Sequence, residues 1–142
     1  MSTPIQIPDH ARDLVDRPLL MTLATRLGDD SIQLTPIWFN FDEGCIFFNT
    51  EKGRLKDRII RKRPRVSIII LDPDNRARWL AVRGTVIEIT DDAGWAHINF
   101  LAKRYMGIEK FGGHPDEQRV RYKILPEHVT AAEMYAPTPS AD

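Results

Sequence analysis

The stretch Val66-Ser67-Ile68-Ile69-Ile70-Leu71-Asp72-Pro73-Asp74-Asn75, with residues 77–90 after it, decides the fold. Residues 66–71 form an almost continuous β-branched run, the pattern of a strand buried on both faces. Asp72-Pro73-Asp74-Asn75 is turn chemistry with no room for a helical crossover, so the next strand returns antiparallel. Residues 77–90 alternate. Trp79, Ala81, Arg83, Thr85, Ile87 and Ile89 share one face, and Leu80, Val82, Gly84 and Val86 share the other. A strand this long bends, and Gly84 is the natural bend point.

Upstream, Leu55, Ile59 and Ile60 recur at helical spacing within residues 54–63, and Pro64 ends that helix. Before it, residues 19–25, 32–41 and 45–49 read as three strands of an antiparallel meander. Their turns are Gly28-Asp29-Asp30-Ser31 and Asp42-Glu43-Gly44, and Pro36 marks a bulge or an edge position. Residues 9–16 predict a short helix, capped by Asp9 and stopped by Pro18. Downstream, Asp91 and Asp92 cap a helix over 93–106 whose apolar stripe is Ala96, Phe100, Leu101 and Tyr105. A loop over 107–116, a strand over 119–125, a turn at 126–129 and an extended segment at 130–135 complete the pattern. The expected fold is mainly β with flanking helices, a small closed or split antiparallel barrel. One domain spans 1–142, with 1–8 and 136–142 as loose termini.

The chain has 142 residues and 16.3 kDa, one domain's worth. Twenty Lys and Arg balance twenty Asp and Glu. No whole-molecule field draws nucleic acid or an anionic membrane, so neither is an expected partner. Cys45 is the single cysteine, which fits a reducing cytoplasm. No secretory leader and no membrane-length apolar run is evident.

Candidate chemistry is sparse. His10, His97, His114 and His128 show no metal-ligand spacing, His97 reads as a solvent-facing helix residue, and no metal is expected. Cys45 reads as a small buried hydrophobe. No catalytic acid or base can be named. The informative segment is Phe47-Phe48-Asn49-Thr50-Glu51-Lys52-Gly53-Arg54-Leu55-Lys56, where a strand ends and a helix begins. Lys52, Arg54 and Lys56 gather at the positive end of a helix dipole, where cations are disfavoured. A bound phosphate would resolve that conflict, with Thr50 placed to donate its hydroxyl or to cap the helix. The competing reading is a solvated basic helix face continuing to Arg65. Single-stranded nucleic acid fits poorly, because residues 53–65 contain no aromatic for bases to stack on. Thr35-Pro36-Ile37-Trp38 places an interrupted strand beside a large aromatic, which suits a flat heterocycle, although Trp38 could equally be core. Trp79, next to Arg78, is a candidate for a pocket mouth.

Taken together, residues 20–25, 35–39, 48–56, 63–67 and 82–86 resemble the FMN-binding split-barrel superfamily of pyridoxamine 5'-phosphate oxidase-like proteins. They are most similar to its branch of coenzyme F420-dependent reductases. The resemblance implies an oxidoreductase that moves a hydride between reduced F420, alternatively FMN, and a small unsaturated or heterocyclic acceptor. It implies Thr50 and Lys56 on the cofactor phosphate, Lys52 and Arg54 adding charge, and Thr35–Trp38 along the ring. It also implies a homodimer with the cofactor between subunits. The oxidase's own phosphate motif reads Ser-Arg-Lys where this chain has Arg54-Leu55-Lys56, which argues against pyridoxamine phosphate oxidation. A non-catalytic cofactor- or haem-binding split barrel is the remaining alternative.

Overall fold

The computed structural model describes residues 3–133. A 3₁₀ turn, Asp9–Ala11, runs into α1 (Arg12–Asp16). There follow β1 (Met21–Arg26), β2 (Ile32–Ile37), β3 (Phe39–Asp42), β4 (Cys45–Glu51), α2 (Leu55–Lys62), β5 (Arg65–Leu71), β6 (Arg78–Thr90), α3 (Gly94–Met106) and β7 (Arg119–Glu133). The seven strands form one antiparallel sheet in the order β2-β1-β5-β6-β7-β4-β3.

That order corrects the meander expected for the first fifty residues. Residues 32–41 are two strands, and they lie at opposite edges of the sheet. Only Trp38 separates Ile37 at the end of β2 from Phe39 at the start of β3. The sheet therefore curls into a half-barrel whose two edges meet at Trp38. Curling brings the edges together and removes most of the exposed strand edge.

Alternation sets the interior. Leu80, Val82, Gly84 and Val86 of β6 are buried, as their shared face predicts. Val66, Ile68 and Ile70 are buried too, but Ser67 and Ile69 between them are only half-buried and Leu71 is exposed. β5 is thus buried on one face rather than two. β-branching favours a strand on either surface of a sheet, so it does not report which faces are covered. Tyr122 and Phe48 stack at the centre, 4.6 Å apart and 7° from parallel. Gly84 is the bend point: the β6–β7 register shifts beside it, and a Cβ there would stand 2.3 Å from the Leu125 carbonyl oxygen.

Several local expectations change. β7 runs unbroken through residues 126–129, because it stays paired to the bent β6. Asp9 caps nothing; the 3₁₀ turn starts after Pro8, and α3 starts after Ala93 with no side-chain cap. Phe100 lies on the outer side of α3, 54% exposed, while His97, Ile98, Leu101 and Ala102 face inward. Within the segment expected to be a loose start, Ile7 is buried, and the Ile5 N–H donates to the Pro126 carbonyl at 3.2 Å. The expected loose end at 136–142 lies outside the described residues. Among those described, no helix is long and apolar enough to cross a membrane.

Candidate functional site

The β4–α2 junction sorts the cations that the sequence grouped. Lys52 donates to Asp91 at 2.8 Å, and Arg54 to Glu51 at 3.1 Å. Lys56 is different. It is half-buried, and among the described residues it joins no ion pair. Burial lowers the pKa of its ammonium below the ordinary value, and the neighbouring Arg54 and Arg119 guanidinium groups push it the same way. A half-buried lysine without an ion pair, under the charges of two guanidinium groups, is the electrostatic outline of a candidate anion site. The dipole conflict at the helix start is partly relieved by a residue not anticipated from the sequence. Asp57, buried in the first turn, accepts from the Gly53 N–H at 2.9 Å, from Arg61 at 2.8 Å and from the Tyr122 hydroxyl. Thr50 is buried on β4, opposite Val120 of β7; the helix is capped at Arg54, without a side-chain bond.

Arg119, at the start of β7, is the cation that the sequence reading missed. It is only 9% exposed and lies over the Phe111 ring at 5.0 Å. Its Nε donates to the Asn49 side-chain oxygen at 3.0 Å and its Nη1 to Glu117 at 3.2 Å. Asn49 is fixed in turn. Its amide nitrogen donates to the Gly94 carbonyl at 2.9 Å and lies 3.2 Å from His97 Nδ1. His97 Nε2 lies 2.7 Å from the Asn40 side-chain oxygen. With Nε2 carrying the proton, Nδ1 accepts from Asn49 and each member of the chain has a partner. His97 is therefore buried, not solvent-facing, and burial lowers its pKa from 6.5 to about 4, with the Arg121 charge adding to the effect. Its i, i+4 neighbour Leu101 is also buried, so the inward face of α3 includes position 97.

Asn49 and Arg119 open onto a cleft of about 280 Å³ whose other wall is Pro36, Ile37 and Trp38. Trp38 stacks on Tyr105 with centroids 5.1 Å apart and meets the edge of Phe111. The Tyr105 hydroxyl donates to the Leu19 carbonyl and accepts from the Phe39 N–H at 3.0 Å, which pins α3 to the point where the two sheet edges meet. β2 is an edge strand, so the backbone of Thr35–Ile37 has a strand neighbour on one side only. The Thr35 hydroxyl oxygen is buried without a hydrogen-bond partner among the described residues. Trp79 stands apart, between Leu71 and Ala132 on the neighbouring strands, and does not line the cleft. Pro36, Ile37 and Trp38 are thus brought together with Asn49 and Arg119, and the charge of Arg119 reaches Lys56.

The chain matches the family model described as pyridoxamine 5'-phosphate oxidase over residues 7–132. Among solved structures, it is similar to an F420 reductase at 32% identity and a TM-score of 0.81, covering 87% of this chain and 98% of that one. A conserved hypothetical protein of Mycobacterium tuberculosis, Rv2991, superposes at 0.72 with 21% identity, covering 100% and 96%. HupZ of Group A Streptococcus superposes at 0.66 with 17% identity, covering 90% and 95%. These last two show the fold alone. No curated protein matches in sequence. The strand order and the family match agree: the chain belongs to the pyridoxamine 5'-phosphate oxidase family of split barrels.

Proposed function

We propose that this chain is an oxidoreductase that uses coenzyme F420, with FMN as the alternative cofactor. The observation that carries the reading is Lys56, half-buried at a strand–helix junction, in no ion pair among the described residues and under the charges of Arg54 and Arg119. The residues present fit such a cofactor. Lys56 and Arg119 would hold its phosphate, with Arg54 adding charge at the rim. Asn49 orients Arg119. The open edge of β2 at Thr35–Ile37 offers backbone groups to the heterocycle, and the partnerless Thr35 hydroxyl is a further polar group there. When bound in its reduced form, the cofactor supplies a hydride to a small unsaturated or heterocyclic acceptor. Lys56 supplies the unpaired charge there, because Arg54 and Arg119 are already paired with Glu51 and Glu117. The F420 reductase among the similar structures supports F420 over FMN.

The acceptor would enter over Trp38, whose ring is held by Tyr105 and Phe111. A second copy of the chain would complete the groove, because the exposed face of β2 that carries Ile32, Leu34 and Pro36 is apolar. Side-by-side fluorescence titrations with F420 and FMN test the reading. The expected result is tighter binding of F420. Lys56→Ala should weaken binding by about 1.5–3 kcal/mol, the range for a hydrogen bond to a charged group. An unchanged dissociation constant in that variant would remove the phosphate assignment.

A further inference from the structure

Behind the cleft at Trp38 runs a largely buried polar chain, of which the cofactor reading uses only the near end. Asn49 and Arg119 line the cleft; His97 and Asn40 do not. The four come from four elements: Asn40 from β3, Asn49 from β4, His97 from α3 and Arg119 from β7. Buried polar groups are costly unless each is partnered, so a neutral histidine set between two amides needs a reason beyond packing.

The ends of this chain fix the protons along it. The Gly94 carbonyl only accepts and Arg119 Nε only donates, so the Asn49 amide turns its nitrogen to Gly94 and its oxygen to Arg119. The same nitrogen lies 3.2 Å from His97 Nδ1, so Nδ1 must accept and Nε2 must carry the proton. Asn40 then has to offer its oxygen, as it does at 2.7 Å. A proton on Nδ1, in the other tautomer or in the charged ring, sets two donors against each other. Relieving that contact turns the Asn49 amide away from Arg119. On Arg119 itself Nε is held by Asn49 and Nη1 by Glu117, while Nη2 has no partner among the described residues. Nη2 is the nitrogen left for a ligand.

We propose that His97 and Asn40 are positioning residues for the anion site: by keeping the Asn49 oxygen on Arg119, they leave Nη2 to the cofactor's anionic group. The inference rests on the reading of Lys56 and Arg119 as that site. Every contact in the chain works in one sense only, so the proton state of the ring and the set of the guanidinium are coupled although the two never touch. The surroundings keep the ring neutral. Arg121 of β7 places a positive charge that opposes protonation, the Phe47 and Phe100 rings lie 6.3 and 6.5 Å away, and among the described residues no carboxylate acts on it. A carboxylate at position 40 would reverse this, because an opposite charge favours the imidazolium. Asn40 therefore supplies an acceptor without a charge.

Two measurements test it. Nitrogen-15 NMR of the ligand-free chain should show His97 as the Nε2–H tautomer and the Arg119 Nε–H as one slowly exchanging signal, which His97→Leu loses. Fluorescence titration with F420, or with FMN if that binds more tightly, should give a dissociation constant raised at least about tenfold in His97→Leu, the scale of one hydrogen bond to a charged group. Asn40→Asp supplies a readout that packing alone would not move. Its cofactor affinity should fall more steeply than that of wild type as pH is lowered from about 8 to about 5, the range of histidine titration, and its Arg119 signal should fade over the same range. Thermal melts check that the variants are folded; Asn40 is half-buried, so Asn40→Asp decides the matter if His97→Leu does not fold. Beside a weakened Arg119→Gln, the inference alone is overturned by any of three results: unchanged binding in His97→Leu, a wild-type pH profile in Asn40→Asp, or a His97 proton on Nδ1. If Arg119→Gln binds the cofactor as wild type does, or if wild type binds neither cofactor, the site reading is overturned and the inference with it.

Discussion

His97 shows what burial does to a single side chain. Its ring is held by Asn49 and Asn40, and its pKa is lowered to about 4, so the folded chain keeps it neutral while the unfolded chain protonates it near 6.5. The sign follows. Below 6.5 the unfolded state binds the extra proton, so this contribution is complete above 6.5 and drains away as pH falls toward 4. The full loss is about 3 kcal/mol at most, from 1.36 kcal/mol for each unit of pKa. Urea melts of wild type and His97→Gln between pH 4 and 7 check this. The wild type should lose stability across that range, and the variant should lose clearly less. Equal slopes would mean that other groups carry the acid sensitivity. None of this was readable from the chain, because a histidine on an amphipathic helix gives no sign of which amides will meet it. Lys56 was readable, since its place after a strand end and a glycine put it at a helix start. Arg119 was not, because nothing local separates it from the other arginines and its partner Asn49 is 70 residues away.

At the scale of elements, the site depends on how α3 sits on β7. Gly94 opens α3 against the backbone of Arg119: a Cβ there would lie 1.7 Å from the Arg119 carbonyl oxygen and 2.7 Å from the Val120 nitrogen. No side chain can yield, because the obstacle is backbone. Gly94→Ala must lift the helix start off the strand, which takes with it the Gly94 carbonyl that holds Asn49. The expected cost is about 3 kcal/mol, the upper range for overpacking, together with a weaker grip on the cofactor anion. Chemical denaturation measures the first and a cofactor titration the second; Gly107→Ala, where nothing lies within 4 Å, is the comparison. Its positive φ of 71° carries its own cost, so its loss should be in stability without loss of binding. Helices and strands were legible here to within a few residues because polar–apolar period reports them. The break at Trp38 was not. The apolar positions do change phase there, from Ile32 and Leu34 to Ile37, Phe39 and Phe41, but only the pairing partners, Met21–Arg26 on one side and Cys45–Phe48 on the other, show that the strand serves both edges.

At the scale of the whole molecule, curling removes most strand edges but leaves β2 with an open side and an apolar outer face. Ile32 is 55% and Leu34 65% exposed on that strand, and Leu20 beside it is 56% exposed. An exposed apolar edge strand invites pairing, so a stable soluble chain must cover it. The same strand carries Pro36 and Ile37 of the cleft wall, so whatever covers it also bounds that cleft. A second copy of the chain meets both requirements. Sedimentation velocity should then give about twice the 16.3 kDa of one chain for the wild type. Leu34→Glu should shift the chain toward the single mass, because a carboxylate on an apolar interface must be desolvated without a partner. It should also weaken cofactor binding at least tenfold while leaving the thermal melt of the monomer cooperative, since Leu34 lies outside the core. A wild type that stays monomeric at every concentration measured would assign the whole cleft to one chain and leave the apolar edge for another partner.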